Sequence, residues 1–248
     1  AESKTRVPGP KVGSAEEFSR QILEAGSDIS GAVVQRALKL ARVPLSASRR
    51  NVIPHGKEAV NGAVCGLYVF ADSIGVTAWS RKNAWLTKLL AAFCRQKGPK
   101  GFPFTSIQVN VNYAARPHVD RNNLGKSLII GLGSYQGGSL WVHDDQGGKD
   151  HTLAESLPLE PLYKKGATFP GVDVNIQNTW SELDGNRLHF TRPFRGTRYS
   201  LVYFTCDRYA DAREEVRAEL RSSGFPFRWN NPKLQRMLAT KRVERAAL

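Results

Sequence analysis

At 248 residues, 41% hydrophobic and 23% charged, the chain has the ordinary mix of a globular protein with one sizeable core. No apolar run approaches a membrane span, no signal segment opens the sequence, and three scattered cysteines (Cys65, Cys94, Cys206) speak against a disulfide framework or zinc site and for an intracellular, reducing compartment. The net charge of +14 comes from residues 1–100 (16 basic, 7 acidic) and 211–248 (9 and 5), with 101–210 near neutral (11 and 10), which suits a polyanionic partner such as nucleic acid as well as plain solubility.

Residues 1–14, with Pro8, Gly9, Pro10 and Gly13, read as a flexible basic arm, and 15–248 as a single domain. Ser14 is placed to cap a helix from Ala15 to Ala25, with Glu16 and Glu17 in its first turn. A second helix is expected from Ser30 to Arg42, ended by Pro44. The polar stretch Ser46 to Gly62, holding Arg49, Arg50, Lys57 and a surface histidine, His55, reads as a loop. Val64 to Ala71 alternates as a strand, and Lys82 to Gln96 carries an apolar stripe of Trp85, Leu86, Leu89, Leu90 and Phe93. These elements form a helical support over 15–100.

After the Gly and Pro break at 98–103 the character changes to short strands, expected at 104–113, 126–132, 138–143, 166–169, 187–191 and 197–205. Many short strands with helices gathered to the sides predict an α+β fold: a sandwich or jelly-roll core over 104–207 with flanking helices. Helices return at Asp211 to Ser222 and from Pro232 to about Ala246.

The chemistry centres on the segment Val109 to Asp120, where an alternating strand runs into a short turn. His118 and Asp120, at i and i+2 of an extended segment, point to one side and can grip one metal ion. A third ligand must come from His143, His151 or His189. On the strand after Gly196, Arg198, Ser200 and Val202 share one face, and an inward arginine beside a hydroxyl makes a carboxylate clamp. Two histidines and one carboxylate leaving open positions form the facial triad of non-haem iron(II) oxygenases.

His-x-Asp, a distant His and then Arg-x-Ser resemble the 2-oxoglutarate-dependent dioxygenase superfamily from about Phe104 to Phe204. The resemblance implies a double-stranded β-helix, a distorted jelly roll, with His118, Asp120 and His189 holding Fe(II). Arg198 and Ser200 would hold the distal carboxylate of 2-oxoglutarate, dioxygen would be the second co-substrate, and ascorbate a possible reductant. His143 leaves room for too few intervening strands, and Arg195 lies at a turn rather than on the strand, so His189 and Arg198 are preferred.

Asn110 and Asn112 share the strand face ahead of His-x-Asp, where nucleic-acid-repair members of the superfamily use an Asn and a Tyr to touch 2-oxoglutarate, though a structural strand asparagine reads equally well. The Arg121 to Ser127 turn into an apolar strand is similar to the TET/JBP branch, which oxidises the 5-methyl group of pyrimidine bases. By that resemblance Asn122 or Asn123 would meet a flipped base, the alternative being asparagines that simply make the turn. Trp141, Trp180 and Tyr135 are candidates for base stacking or for the core. The spacing of nine from His189 to Arg198 is closer to protein prolyl hydroxylases. The expectation is therefore base oxidation in nucleic acid, DNA first, at a nuclear location, with peptide hydroxylation as the alternative.

Overall fold

The structure, a computed structural model, describes residues 13–70, 73–225 and 227–246. The first twelve residues of the expected basic arm lie outside them. The Ser14 hydroxyl acts as the expected N-cap, accepting the Glu17 N–H at 3.1 Å and opening α1 (Ala15–Glu24); Ser30, expected as the first helical residue, instead caps α2 (Gly31–Leu40) by accepting the N–H of Val33 at 3.3 Å. A two-residue β1 (Leu45–Ser46) leads through a long loop to β2 (Val60–Phe70), which pairs with β3 (Ser73–Val76). A short α3 (Ala78–Lys82) precedes α4 (Ala84–Lys97), whose expected stripe is buried from Leu86 to Phe93. Glu16 serves α4 rather than its own helix. Its carboxylate accepts the N–H groups of Trp85 and Leu86 at 3.1 and 2.9 Å, filling two donors that a helix start leaves unpaired.

The remaining elements are β4 (Ser106–Val111), β5 (Ser127–Leu132), β6 (Tyr135–Gly137), β7 (Leu140–His143), β8 (His151–Thr152), β9 (Thr168–Phe169) and β10 (Gly171–Val174). They continue with β11 (Ser181–Leu183), β12 (His189–Thr191), β13 (Phe194–Gly196), β14 (Tyr199–Phe204), α5 (Glu214–Ser222) and α6 (Pro232–Ala246). One antiparallel sheet runs β1-β2-β4-β14-β5-β11 with β3 added on β2; a second runs β10-β7-β12. Strand alternation gives each sheet two uses. Ile107, Val109, Leu128, Ile130, Leu201 and Tyr203 turn towards α1, α2 and α4 and form the main core. Ile129 and Val202 turn the other way and meet Leu140 and Val142 of the smaller sheet. The space between the sheets opens into the functional cleft.

The expected α+β architecture, with antiparallel sheets and flanking helices, is thus present. The expected loop 46–62 is one only in part, because β2 starts at Val60. Gly62 and Gly66 break the strand pattern in sequence, yet the fold needs Gly66 bare: there (φ +88°) a side chain would strike the Thr105 carbonyl and the Phe225 ring. β3, β6, β10, β11 and β13 are three or four residues long, too short for a period to register. No helix among the described residues is long and apolar enough to cross a membrane.

Candidate metal centre and its cleft

His118 and His189 are directly opposed across a pair of backbone hydrogen bonds, each N–H donating to the other's carbonyl at 3.0 Å. Val119 turns out to pack on the Trp141–Phe190 cluster, so Asp120 returns to the same side as His118. The Asp120 N–H donates to the Gly185 carbonyl at 2.7 Å, which fixes the turn. One ligand atom from each of the three side chains lies within 4.8 Å of the others. The carboxylate oxygens of Asp120 stand 3.8 Å from His118 Nε2 and 3.7 Å from His189 Nε2.

Tautomers follow from the partners. Nδ1 of His118 faces the Arg116 carbonyl at 2.7 Å, and Nδ1 of His189 faces the Arg187 carbonyl at 2.9 Å. A carbonyl only accepts, so both Nδ1 atoms carry the proton and both Nε2 lone pairs point at the carboxylate. Burial, with His189 beside it, pushes the His118 imidazole down to about 3, so it is neutral and fit to ligate. Burial pushes the Asp120 carboxyl up, but His189, His118, Arg49 and Asn123 outweigh it and hold the group below the usual carboxylate value. Two imidazoles and one carboxylate are the donor set that suits Fe(II) with positions left open.

Arg198 is 3% exposed and lies just ahead of β14, two residues before Ser200. Its Nε and Nη2 have no hydrogen-bond partner. Instead the guanidinium lies over the rings of Tyr135 and Phe194, at 5.5 and 5.4 Å. Gly138 (φ +70°) makes its room, since a Cβ there would sit 3.1 Å from Nε. Burial pushes this guanidinium below its ordinary value, with Tyr135 opposing. A buried guanidinium with unbonded nitrogens is costly unless an anion completes it, so the site fits a carboxylate ligand. Arg195, the rejected alternative, lies on β13 and not at a turn as expected, but its side chain is exposed.

Other expected residues are placed differently. Asn112 does not share the face of Asn110: the strand ends at Val111, Asn112 adopts φ +53°, and its side chain accepts the Arg198 N–H at 2.8 Å. It fastens the start of β14 and does not face the cleft with Asn110. Asn123 is buried and donates to Ser127 Oγ at 3.0 Å and to Asp120 Oδ2 at 3.4 Å, so it orients the metal carboxylate. Asn122 is exposed at the cleft. Asn110 sits in the cleft wall and donates to Ser200 Oγ at 3.1 Å. His143 lies on the outer side of β7 with Tyr163, away from the triad, and His55 is exposed. Trp141 stacks on Phe190, Trp180 packs on Phe93 and Tyr203, and Tyr135 covers Arg198, so all three are structural.

Two features were invisible in the sequence. Arg49, from the loop before β2, reaches Asn110 and Tyr113 in the cleft wall. Lys241 of α6 donates to the carbonyls of Arg121 and Asn123 and to Asn186 Oδ1, with Asp207 at 3.6 Å. The C-terminal helix therefore grips the turn that follows Asp120. Lys241→Met should lower metal affinity about 10- to 100-fold, as for other residues that orient a metal ligand, with the far-UV circular dichroism unchanged. A metal titration that overlays wild type would show that the turn holds without it.

The cleft measures about 940 Å³ and is lined by the triad, Asn110, Ser200 and an apolar wall that includes Ile129, Leu140 and Val202. No family model and no curated protein matches the chain. Among solved structures, an oxidoreductase of the 2OG-Fe(II) oxygenase family from Burkholderia pseudomallei aligns at 18% identity over 79% of this chain and 93% of that one, with a TM-score of 0.41. A Pseudomonas putida prolyl-4-hydroxylase aligns at 16% identity over 76% and 87%, with a TM-score of 0.33. NgTET1 in complex with 5mC DNA aligns at 15% identity over 58% and 60%, with a TM-score of 0.35. Superpositions this loose leave the function to rest on the chain's own residues.

Proposed function

We propose that the chain is an Fe(II)- and 2-oxoglutarate-dependent dioxygenase that hydroxylates the 5-methyl group of a pyrimidine base, 5-methylcytosine or thymine, in nucleic acid, most readily DNA, and so works in the nucleus. The two facing sheets are then a double-stranded β-helix. One observation carries the chemistry: an inward His118–Asp120–His189 face beside a buried, incompletely bonded Arg198. His118, Asp120 and His189 would hold the iron, and Arg198 with Ser200 would hold the distal carboxylate of 2-oxoglutarate. When bound, the iron supplies dioxygen activation coupled to oxidative decarboxylation of the 2-oxo acid and hydroxylation of a substrate C–H.

The protein's own residues do the positioning. The Nδ1–H bonds to backbone carbonyls keep both imidazoles in the ligating tautomer. Asn123 sets the Asp120 rotamer, and the apolar wall keeps water from the reacting face. The nucleic-acid substrate is supported by the net charge of +14 and by Arg49, Arg116 and Arg121 at the cleft. The nine-residue spacing from His189 to Arg198 favours a second reading, peptide prolyl hydroxylation.

Mass spectrometry of nucleosides decides between them. Methylated DNA incubated with the protein, iron(II), 2-oxoglutarate and ascorbate should yield the 5-hydroxymethyl base together with succinate. Hydroxyproline in a parallel peptide reaction, with no oxidised base, transfers the assignment to the peptide reading. Absence of succinate in every arm would sink the enzyme reading itself.

A further inference from the structure

In the dioxygenase reading one cation of the cleft, Arg49, holds neither the metal nor the co-substrate. Arg49 is half-buried and lines the same cleft as His118 and Asp120. Its Nη1 donates to Asn110 Oδ1 at 3.2 Å and to the Tyr113 hydroxyl oxygen at 3.1 Å. The Tyr113 hydroxyl donates in turn to Asn110 Oδ1 at 2.5 Å. The guanidinium is thereby aimed through Nη1 by two neutral acceptors. Among the described residues no acceptor bonds to its Nε or Nη2, and no carboxylate pairs with it. That leaves the edge of the guanidinium suited to a bidentate oxyanion.

Charge balance says where the oxyanion comes from. A ferrous ion is offset by Asp120 and by the metal-bound carboxylate of the co-substrate, and Arg198 by the distal carboxylate. Nothing in that set remains for Arg49. The acids nearest the mouth are engaged elsewhere: Glu155 lies 3.7 Å from Arg116, and Glu160 is 2.6 Å from Arg121. Arg50, Lys57 and Arg116 carry the positive surface outward along an adjoining depression, and Arg116 is pinned there by the carbonyls of Arg50 and Asn51.

We propose that Arg49, aimed by Tyr113 and Asn110, is a subsite for an anionic group of the primary substrate, a backbone phosphate beside the reacting base. This deepens, and rests on, the nucleic-acid reading of the cleft. The subsite sets where the strand stops relative to the iron, so it is a specificity determinant and not a metal or co-substrate ligand.

The test is fluorescence anisotropy of a labelled single-stranded oligodeoxynucleotide carrying 5-methylcytosine, titrated with metal-free protein over a series of NaCl concentrations. Removing one phosphate contact should lower the log–log salt slope by about 0.7. Arg49→Gln should show that drop and bind about 10- to 100-fold more weakly at low salt, as for loss of one charge-assisted hydrogen bond. Arg49→Lys keeps the charge and should restore the slope but not the full affinity. Lys39→Gln, on the exposed side of α2 behind the main sheet, should change neither. In a second arm, calorimetry of 2-oxoglutarate with the Mn(II)-loaded protein should give the same affinity for Arg49→Gln and wild type, within about twofold. An unchanged salt slope in Arg49→Gln overturns the subsite, and a loss confined to the 2-oxoglutarate arm reassigns Arg49 to the co-substrate. Wild-type protein that shows no salt-dependent binding overturns the nucleic-acid reading and the subsite with it.

Discussion

Arg198→Met should make the protein more stable and almost unable to bind 2-oxoglutarate. In the structure the Arg198 guanidinium is buried with Nε and Nη2 unbonded. A desolvated, unpaired charge opposes folding, and replacing it with an apolar side chain of similar length removes that opposition, worth about 1–4 kcal/mol where buried ionic groups have been replaced. The rings of Tyr135 and Phe194 recover part of the cost through the attraction of a cation for their faces, about 0.5–2 kcal/mol, so the gain should fall at the lower end. A melting temperature a few degrees higher is the expected reading. Affinity goes the other way. Loss of the buried partner of a carboxylate typically costs about 2–5 kcal/mol, so binding of 2-oxoglutarate should weaken at least about 30-fold. Calorimetry of both properties on one preparation checks this. A variant that melts lower and binds 2-oxoglutarate as before would mean that Arg198 serves an internal partner.

Asp120→Ala should abolish metal binding and succinate release while leaving salt-sensitive nucleic-acid binding as in wild type. Asp120 is the only carboxylate of the triad, and without it two imidazoles face each other with ring centroids 4.2 Å apart and no negative charge between them. Two imidazoles are a poor site for Fe(II), which takes both nitrogen and oxygen ligands here. The fold should tolerate the change, because Asp120 holds its turn through its backbone N–H to Gly185, which alanine keeps. Metal titration, the succinate assay and anisotropy separate the outcomes. Joint loss of metal binding, nucleic-acid binding and thermal stability would show that the side chain holds the fold and is not a ligand alone.

Much of the centre was legible because its logic is local. His118 and Asp120 share a side through the two-residue period of an extended chain, and Val119 between them turns to a separate apolar cluster. The same period puts Arg198, Ser200 and Val202 opposite Tyr199, Leu201 and Tyr203, as the sheet bears out. The reading of Asn110 and Asn112 as one face failed at a turn: one left-handed residue, Asn112, ends the alternation, and a period argument has no means to detect it. The two readings of Asn123, base contact or turn-maker, were equal in sequence. Its bonds to Asp120 and Ser127 engage the amide within the turn, as a buried amide requires, while the residue still borders the cleft.

The amino-acid pattern alone determined which side His118 and Asp120 share, the helix cap at Ser14, and the two residue types offered by the His-x-Asp turn. Each depends on neighbours a few positions away, where backbone geometry dictates direction. Tertiary structure alone decided what surrounds that centre. Arg49 meets Asn110 from 61 residues away, and Lys241 reaches the Asn123 carbonyl across 118. Those contacts come from how β2, β4 and α6 pack, and the burial of the groups they join sets both their charge state and their cost.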